Sequence, residues 1–352
     1  MAWKKEVFGT LADGRQADKY TLTNEQGVWA SFTSLGGIWL GMGVPDRDGA
    51  MEDVLLGYDT VEKCLNLSGH LGEIVGRNAN RIGNASFSLN GVTYRLQVNS
   101  GGRNNLHSGP DFYRDRIWDV QIEETGEGTT IAFSLDSPDG DQGYPGNARI
   151  TVSYTLTGDN SLRLDYHMVS DKDTIANMTN HAYFNLAGHG AGEIGRQQVW
   201  MDADAYTPGD DTSVPTGEVA PVKGTPMDFT EMKEIGRDID ADFQQLTMAG
   251  GFDHNWVLNH PAGTLSLAAR VYDPGTGRGM EVYTDLPGVQ FYTANGLTRC
   301  QGKDGAVYDR RGGYCFETQY FPDAINKPQF ASPVLRAGEE YKTTTIYRFT
   351  VE

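Results

Sequence analysis

The run Asn180-His181-Ala182-Tyr183-Phe184-Asn185-Leu186 alternates polar and apolar side chains, the period of a strand that buries one face. Such a strand sets His181, Tyr183 and Asn185 on one face and gives Ala182, Phe184 and Leu186 to a core. An imidazole exchanges protons near neutrality because its unperturbed pKa is about 6.5, so His181 reads as a functional histidine. A second run, Tyr314-Cys315-Phe316-Glu317-Thr318-Gln319-Tyr320-Phe321, places Glu317 and Gln319 on one face among aromatic neighbours. A carboxyl there loses hydration and becomes a stronger base. A sheet-edge carboxylate paired to an arginine would show the same pattern, and the pattern does not choose between the two.

Three glycine-bounded segments carry polar groups suited to binding. GRNANRIG at Gly76–Gly83 offers arginine and asparagine within a turn, fit for multidentate hydrogen bonds to hydroxyls or to a developing oxyanion, with surface ion pairing as the bland alternative. Asn104–Gly109 (NNLHSG) and Gly251–Asn255 (GFDHN) are polar clusters of the kind that loops present, though each taken alone is more often turn chemistry. Gly190–Gly195 matches GxGxxG literally, but RQQVWMDADAYTP follows it and is strand-like, so no helix N-terminus is offered to a pyrophosphate. The seven histidines show neither HxH nor HExxH spacing, and Cys64, Cys300 and Cys315 show no CxxC. The expectation is no metal and no cofactor, with reduced, partly buried cysteines. GxSxG and GxxxxGK[ST] are also missing, so serine hydrolysis and P-loop phosphoryl transfer lack their signatures.

The elements that must position these groups are strands. Ile150, Val152, Tyr154 and Leu156 alternate with polar residues, Gly158-Asp159-Asn160 turns, and Leu162, Leu164, Tyr166 and Met168 return, which is a hairpin. Similar strands are read at Thr129–Leu135, Ser86–Leu89 and Thr93–Leu96 around Asn90-Gly91, Ser266–Tyr272, Met280–Thr284 and Lys342–Val351. Helical spacing is expected over Phe229–Leu246, with Asp228 or Thr230 as cap, and for a turn or two near Asp59–Leu65. With 44 glycines and no linker or repeat, the chain reads as one all-β domain over residues 1–352, a large antiparallel β-sandwich with a few short helices.

Charge narrows the partners. Lys and Arg number 29 against 47 Asp and Glu, a net charge of −18 without a basic stripe, which disfavours nucleic acid and anionic membranes. No segment has the length and apolarity of a signal peptide or membrane span, so a cytoplasmic protein is expected. Monomer and homodimer are not distinguished.

Taken in order, GRNANRIG, NNLHSG, NMTNHAYFNLAG (Asn177–Gly188), FDHNWVL (Phe252–Leu258), PGVQFYTAN (Pro287–Asn295) and ETQYFPDAINKPQF (Glu317–Phe330) resemble the aldose 1-epimerase (galactose mutarotase) family across almost the whole chain. The resemblance implies a galactose mutarotase-like supersandwich. It also implies cofactor-free interconversion of the α and β anomers of a free hexose, a neutral substrate suited to an acidic protein. Glu317 is then the general base and His181 the general acid, with Asn80, Arg81, His107, Asp253 and Gln290 binding the sugar. Ser108 stands where the family commonly has glycine, and Phe316 precedes Glu317 where an aliphatic residue is usual. Two other readings are a non-catalytic sugar-binding protein and a glycosidase using Glu317 with Asp253 as its carboxylate pair.

Overall fold

The computed structural model describes residues 2–67 and 69–352. Among these, one layer is a nine-stranded antiparallel sheet. Its strand order is Asp119–Glu124, Gly128–Ser137, Ala148–Thr157, Ser161–Ser170, Glu340–Val351, Arg278–Thr284, Ser266–Tyr272, Gln198–Met201 and Lys233–Glu234. The expected hairpin lies within it, Ile150 facing Met168 and Tyr154 facing Leu164. The C-terminal strand enters the middle of the sheet, between Ser161–Ser170 and Arg278–Thr284. Glu340–Val351 therefore joins the two halves of the sheet.

The facing layer holds two five-stranded sheets. One runs from Ala2–Thr10 to Met51–Asp53; the other orders Ala220–Pro221, Ala205–Thr207, Asp253–Val257, Gly288–Tyr292 and Cys315–Gln319. Apolar side chains from both layers fill one core. Phe32 meets Tyr154 at 4.6 Å between ring centroids, Phe184 meets Tyr347 at 4.9 Å, and Tyr347 Oη donates to the Phe316 carbonyl at 2.8 Å. Aromatic rings supply large apolar area on two torsions, which suits a core between two twisted sheets.

One element departs from the sequence expectation. Phe229–Leu246 is not a helix: Lys233–Glu234 pairs with Gln198–Val199 as an edge strand, Ile235–Arg237 makes one tight 3₁₀ turn, and the α-helix is limited to Gln244–Ala249. Phe229, Ile235, Ile239 and Leu246 do enter the core, but from a winding segment. Asp228 Oδ1 accepts from Thr230 N at 3.0 Å, a local turn that competes with helix initiation. The second expected helix forms at Val61–Asn66, capped by Thr60. The GxGxxG stretch is turns and irregular backbone leading into the strand Gln198–Met201. No helix of the described residues is long and apolar enough to cross a membrane.

Candidate active site

Three adjacent strands of the second five-stranded sheet build the floor of the site. Their register sets Asn255 against Gln290 and Gln290 against Glu317, and sets Asp253 against Tyr292 and Tyr292 against Cys315. Side chains alternate, so Val289, Phe291 and Phe316 go to the core, where Phe291 and Phe316 stack at 4.9 Å. Asp253, Gln290, Tyr292, Cys315, Glu317 and Gln319 take the opposite face. Asp253–Asn255, from the Gly251–Asn255 run read from the sequence as a loop cluster, thus belongs to a central strand, Asp253–Val257.

His181 arrives on a different scaffold. The long strand expected over Asn180–Leu186 is broken into Thr179–Asn180, paired with Ile74–Val75, and Tyr183–Phe184, paired with Leu55–Leu56. His181 lies between them, its N–H bonded to the Glu73 carbonyl at 2.9 Å and its carbonyl to Gly72 N at 3.0 Å. Gly72 has φ +75°, and a Cβ there would lie 2.1 Å from the Trp39 carbonyl oxygen, so that close approach requires glycine. His181 and Tyr183 reach the cavity as expected. Asn185 does not: it is buried and donates to the Gly192 and Gly312 carbonyls at 2.8 and 3.1 Å, a structural role.

The third contribution is the two-stranded pairing of Arg81–Ile82 with Asn105–Leu106, which brings Asn80 and His107 together. Asn80 N donates to His107 Nδ1 at 3.1 Å, so the neutral ring carries its proton on Nε2. Ser108 has φ +70°, the left-handed region that favours glycine, and its hydroxyl donates to the Asn78 carbonyl at 3.0 Å. Of the other polar groups in these loops, Arg77 is fully buried and donates to the carbonyls of Ser137, Pro138, Pro145 and Gly146. Asn104 and Asn105 bond Thr212, Gln97 and Ser108. These residues hold loops rather than ligand.

The result is a cavity of about 460 Å³ whose walls include Asn80, Arg81, His107, His181, Asp253 and Glu317. Gln290 lies behind this wall: its Nε2 donates to Asp253 Oδ1 at 2.7 Å and its Oε1 accepts from Gln319 at 3.2 Å. Arg81 Nη2 sits 3.4 Å from Asp253 Oδ2. His181 Nε2 is 3.7 Å from Glu317 Oε1, and both side chains are buried. Glu317 Oε2 has no hydrogen-bond partner among the described residues. Cys315 Sγ lies 3.4 Å from His181 Nδ1.

Burial, reinforced by the Asp253 carboxylate and opposed by Arg81, pushes the Glu317 carboxyl up to about 8. Burial and the neighbouring His70 push His181 down to about 3. His107 is held well below its ordinary value by burial and by His181, His70 and Arg81. The resting pair is therefore a neutral carboxyl and a neutral imidazole, with one proton between them. His107, His181 and Glu317 also bring donor atoms within 4.8 Å of one another. Two imidazoles and a carboxyl form a donor set that zinc accepts, so these are the residues that could hold a divalent cation.

His70 also lines the cavity, and sequence reading missed it. It stands alone between Gly69 and Leu71 with no alternation to assign it a face, so no local signal marks it.

The family model described as aldose 1-epimerase matches residues 18–348. The chain is 40% identical to the galactose mutarotase of Sus scrofa over 349 residues, covering 99% of this chain and 98% of that one. It is 34% identical to the aldose 1-epimerase of Escherichia coli K12, with 99% of each chain covered. Among solved structures, the galactose 1-epimerase of Lactobacillus acidophilus superposes with a TM-score of 0.86 at 26% identity, covering 99% of both chains. With a family model spanning nearly all of its length and relatives of this identity, the chain belongs to the aldose 1-epimerase family.

Proposed function

We propose that this chain is an aldose 1-epimerase that interconverts the α and β anomers of free hexoses such as galactose and glucose, working in the cytoplasm as a single domain. The observation that carries the reading is the buried His181–Glu317 pair, 3.7 Å apart at the cavity wall, whose environment leaves one proton to be exchanged between them. Mutarotation needs that proton count. As the pyranose opens, a base removes the proton from O1 while an acid delivers one to the ring oxygen O5. In the tautomer of the pair with its proton moved from Glu317 to His181, the carboxylate and the imidazolium do this and end in the resting form, carboxyl and neutral imidazole. Rotation about C1–C2 then exposes the other face of the aldehyde, and reclosure returns both protons.

The other groups position and stabilise. His107, with its proton on Nε2, donates toward the ring-oxygen side, and Arg81 balances charge beside Asp253. Asp253, held by Gln290 and Arg81, accepts from sugar hydroxyls, and Asn80 supplies an amide at the same wall. Gln290 acts through Asp253. Both oxygens of Asp253 are engaged, which fits an orienting role better than the second carboxylate of a glycosidase.

The test is the optical rotation of freshly dissolved α-D-galactose and α-D-glucose with chelator-treated protein. Wild type accelerates the change, and Glu317→Gln and His181→Asn each lose about 10²- to 10⁴-fold in kcat, the range for removing an acid or base. Intact sugar binding without acceleration by wild type would move the chain to the non-catalytic sugar-binding class.

A further inference from the structure

His70 lies beside the acid–base pair and has no part in the reaction as set out above. Its ring stacks on His181 with centroids 5.8 Å apart and meets His107 edge-on at 5.2 Å. Its Nδ1 is 2.8 Å from Glu73 Oε2, and Glu73 Oε1 accepts from Arg114 Nη1 at 2.7 Å. Burial pushes the Glu73 carboxyl up, but its pairing with His70 and Arg114 outweighs this and holds it below its ordinary value. Glu73 is thus an anion, an acceptor only, and His70 Nδ1 must donate to it. That leaves Nε2 free of Glu73; His70 lines the cavity with its side chain 24% exposed, while Glu73 stays buried.

The backbone locks this arrangement to His181. Gly72 and Glu73 make the two main-chain hydrogen bonds that position His181, so the segment that aims the acid also aims His70. His70 itself has φ +58°, a conformation a non-glycine residue holds only where its surroundings enforce it.

The rings give the wall a direction. His181 stacks on Tyr183 at 5.0 Å as well as on His70, so it lies between them. Glu317 shares a sheet face with Tyr292 on the adjacent strand, and Tyr292 packs edge-on against both His181 and Tyr183, at 6.2 and 6.0 Å, which puts Glu317 toward the Tyr183 end of the stack. A sugar with O1 at Glu317 and O5 at His181 therefore continues toward His70. The carbon beyond O5 on the side away from C1 is C5, which carries the hydroxymethyl group.

Resting on the mutarotase reading, we propose that His70 is a specificity-determining residue that hydrogen-bonds through Nε2 to the C6 hydroxyl of the bound hexose, held in place by Glu73 and Arg114. A hydroxyl both donates and accepts, so it suits Nε2 in either protonation state. A site built around such a bond discriminates against the analogue that lacks the hydroxyl.

Mutarotation rates of D-galactose, 6-deoxy-D-galactose and 2-deoxy-D-galactose are to be measured with wild type, His70→Phe, His70→Gln and Glu73→Gln. Wild type should prefer galactose over the 6-deoxy sugar by about tenfold in kcat/KM, the worth of one good hydrogen bond. His70→Phe should bring that ratio close to one and leave the ratio of galactose to the 2-deoxy sugar unchanged; Glu73→Gln should lower the first ratio partway. If His70→Phe does not fold, His70→Gln carries the comparison. Equal losses on all three sugars, an unchanged 6-deoxy ratio, or no preference in wild type would overturn the assignment while leaving mutarotation intact. Failure of wild type to accelerate any of the three sugars would remove the mutarotase reading and this inference with it.

Discussion

Replacing Glu317 by glutamine should stabilise the fold while removing the base, and the gain should depend on pH in a stated way. The carboxyl has an ordinary pKa of 4.5 and is raised by burial to about 8 in the folded chain. The folded state therefore binds this proton more tightly than the unfolded state. Its contribution to stability is fully present below pH 4.5 and is lost as pH rises through 8. At 1.36 kcal/mol per unit, wild type at pH 7 is disfavoured by about 3 kcal/mol relative to a neutral isostere, and by close to 5 kcal/mol above pH 8. For a chain of this length 3 kcal/mol corresponds to a shift in Tm of about 4 °C. Thermal unfolding of wild type and Glu317→Gln should coincide near pH 4 and separate in favour of the variant at pH 7 and 9. His181, whose depressed pKa acts with the opposite sign, is present in both proteins and largely cancels. A Tm difference that does not change with pH, or a variant less stable at every pH, would refute the argument that Glu317 is a desolvated, high-pKa carboxyl.

The same pair sets the pH profile of the reaction. Between about 3 and about 8 the pair holds one proton, so kcat/KM should be flat from pH 5 to 7 and fall about tenfold per unit above 8, after subtraction of the spontaneous rate. A rise through pH 8 would instead mean that ionised Glu317 alone limits the rate. Because proton transfer by this pair needs no Lewis acid, dialysis against EDTA should leave the rate unchanged; a loss restored by zinc would assign His107, His181 and Glu317 to a cation. Arg77→Met removes the donors of three buried carbonyls, those of Ser137, Pro145 and Gly146, at about 1–3 kcal/mol each when unsatisfied, so a fall of at least about 3 kcal/mol in unfolding free energy is expected in urea titrations.

The strands were legible where one face meets a core and the other meets water or a cavity. Ala148–Thr157 with Ser161–Ser170 is such a case, because burial writes a period of two into both; Cys315–Gln319 is buried throughout, and there the alternation is one of residue type, with Glu317 and Gln319 set apart from Phe316. Glu317 was legible on that ground as a carboxyl among aromatics. The alternation around His181 was also real, yet it is shared between two short pairings, and Asn185 shows that the polar face of such a run can be spent on backbone carbonyls. Phe229–Leu246 misled because a winding segment that dips into a core at intervals imitates the spacing of a helix. His70 and the Gln290–Asp253 contact could not be read at all, since each depends on neighbours distant in the chain. Arg77 and Arg81 look alike in GRNANRIG; only the fold makes one a buried tie and the other a wall of the cavity.

The register of Asp253–Val257, Gly288–Tyr292 and Cys315–Gln319 also divides the chain into parts that evolution can and cannot edit. Insertion of one residue within any of these strands would exchange the two faces beyond it; placed ahead of Phe316 in Cys315–Gln319, it would send Phe316 into the cavity and Glu317 into the core. Chemistry is in that sense an all-or-none reading of the strand phase, closed to gradual change. Leu67, Gly69 and His70, with the segment 296–301, line the same cavity outside any strand of that sheet and carry no such phase. Drift in sugar preference can accumulate there, one substitution at a time, while the acid and base stay fixed.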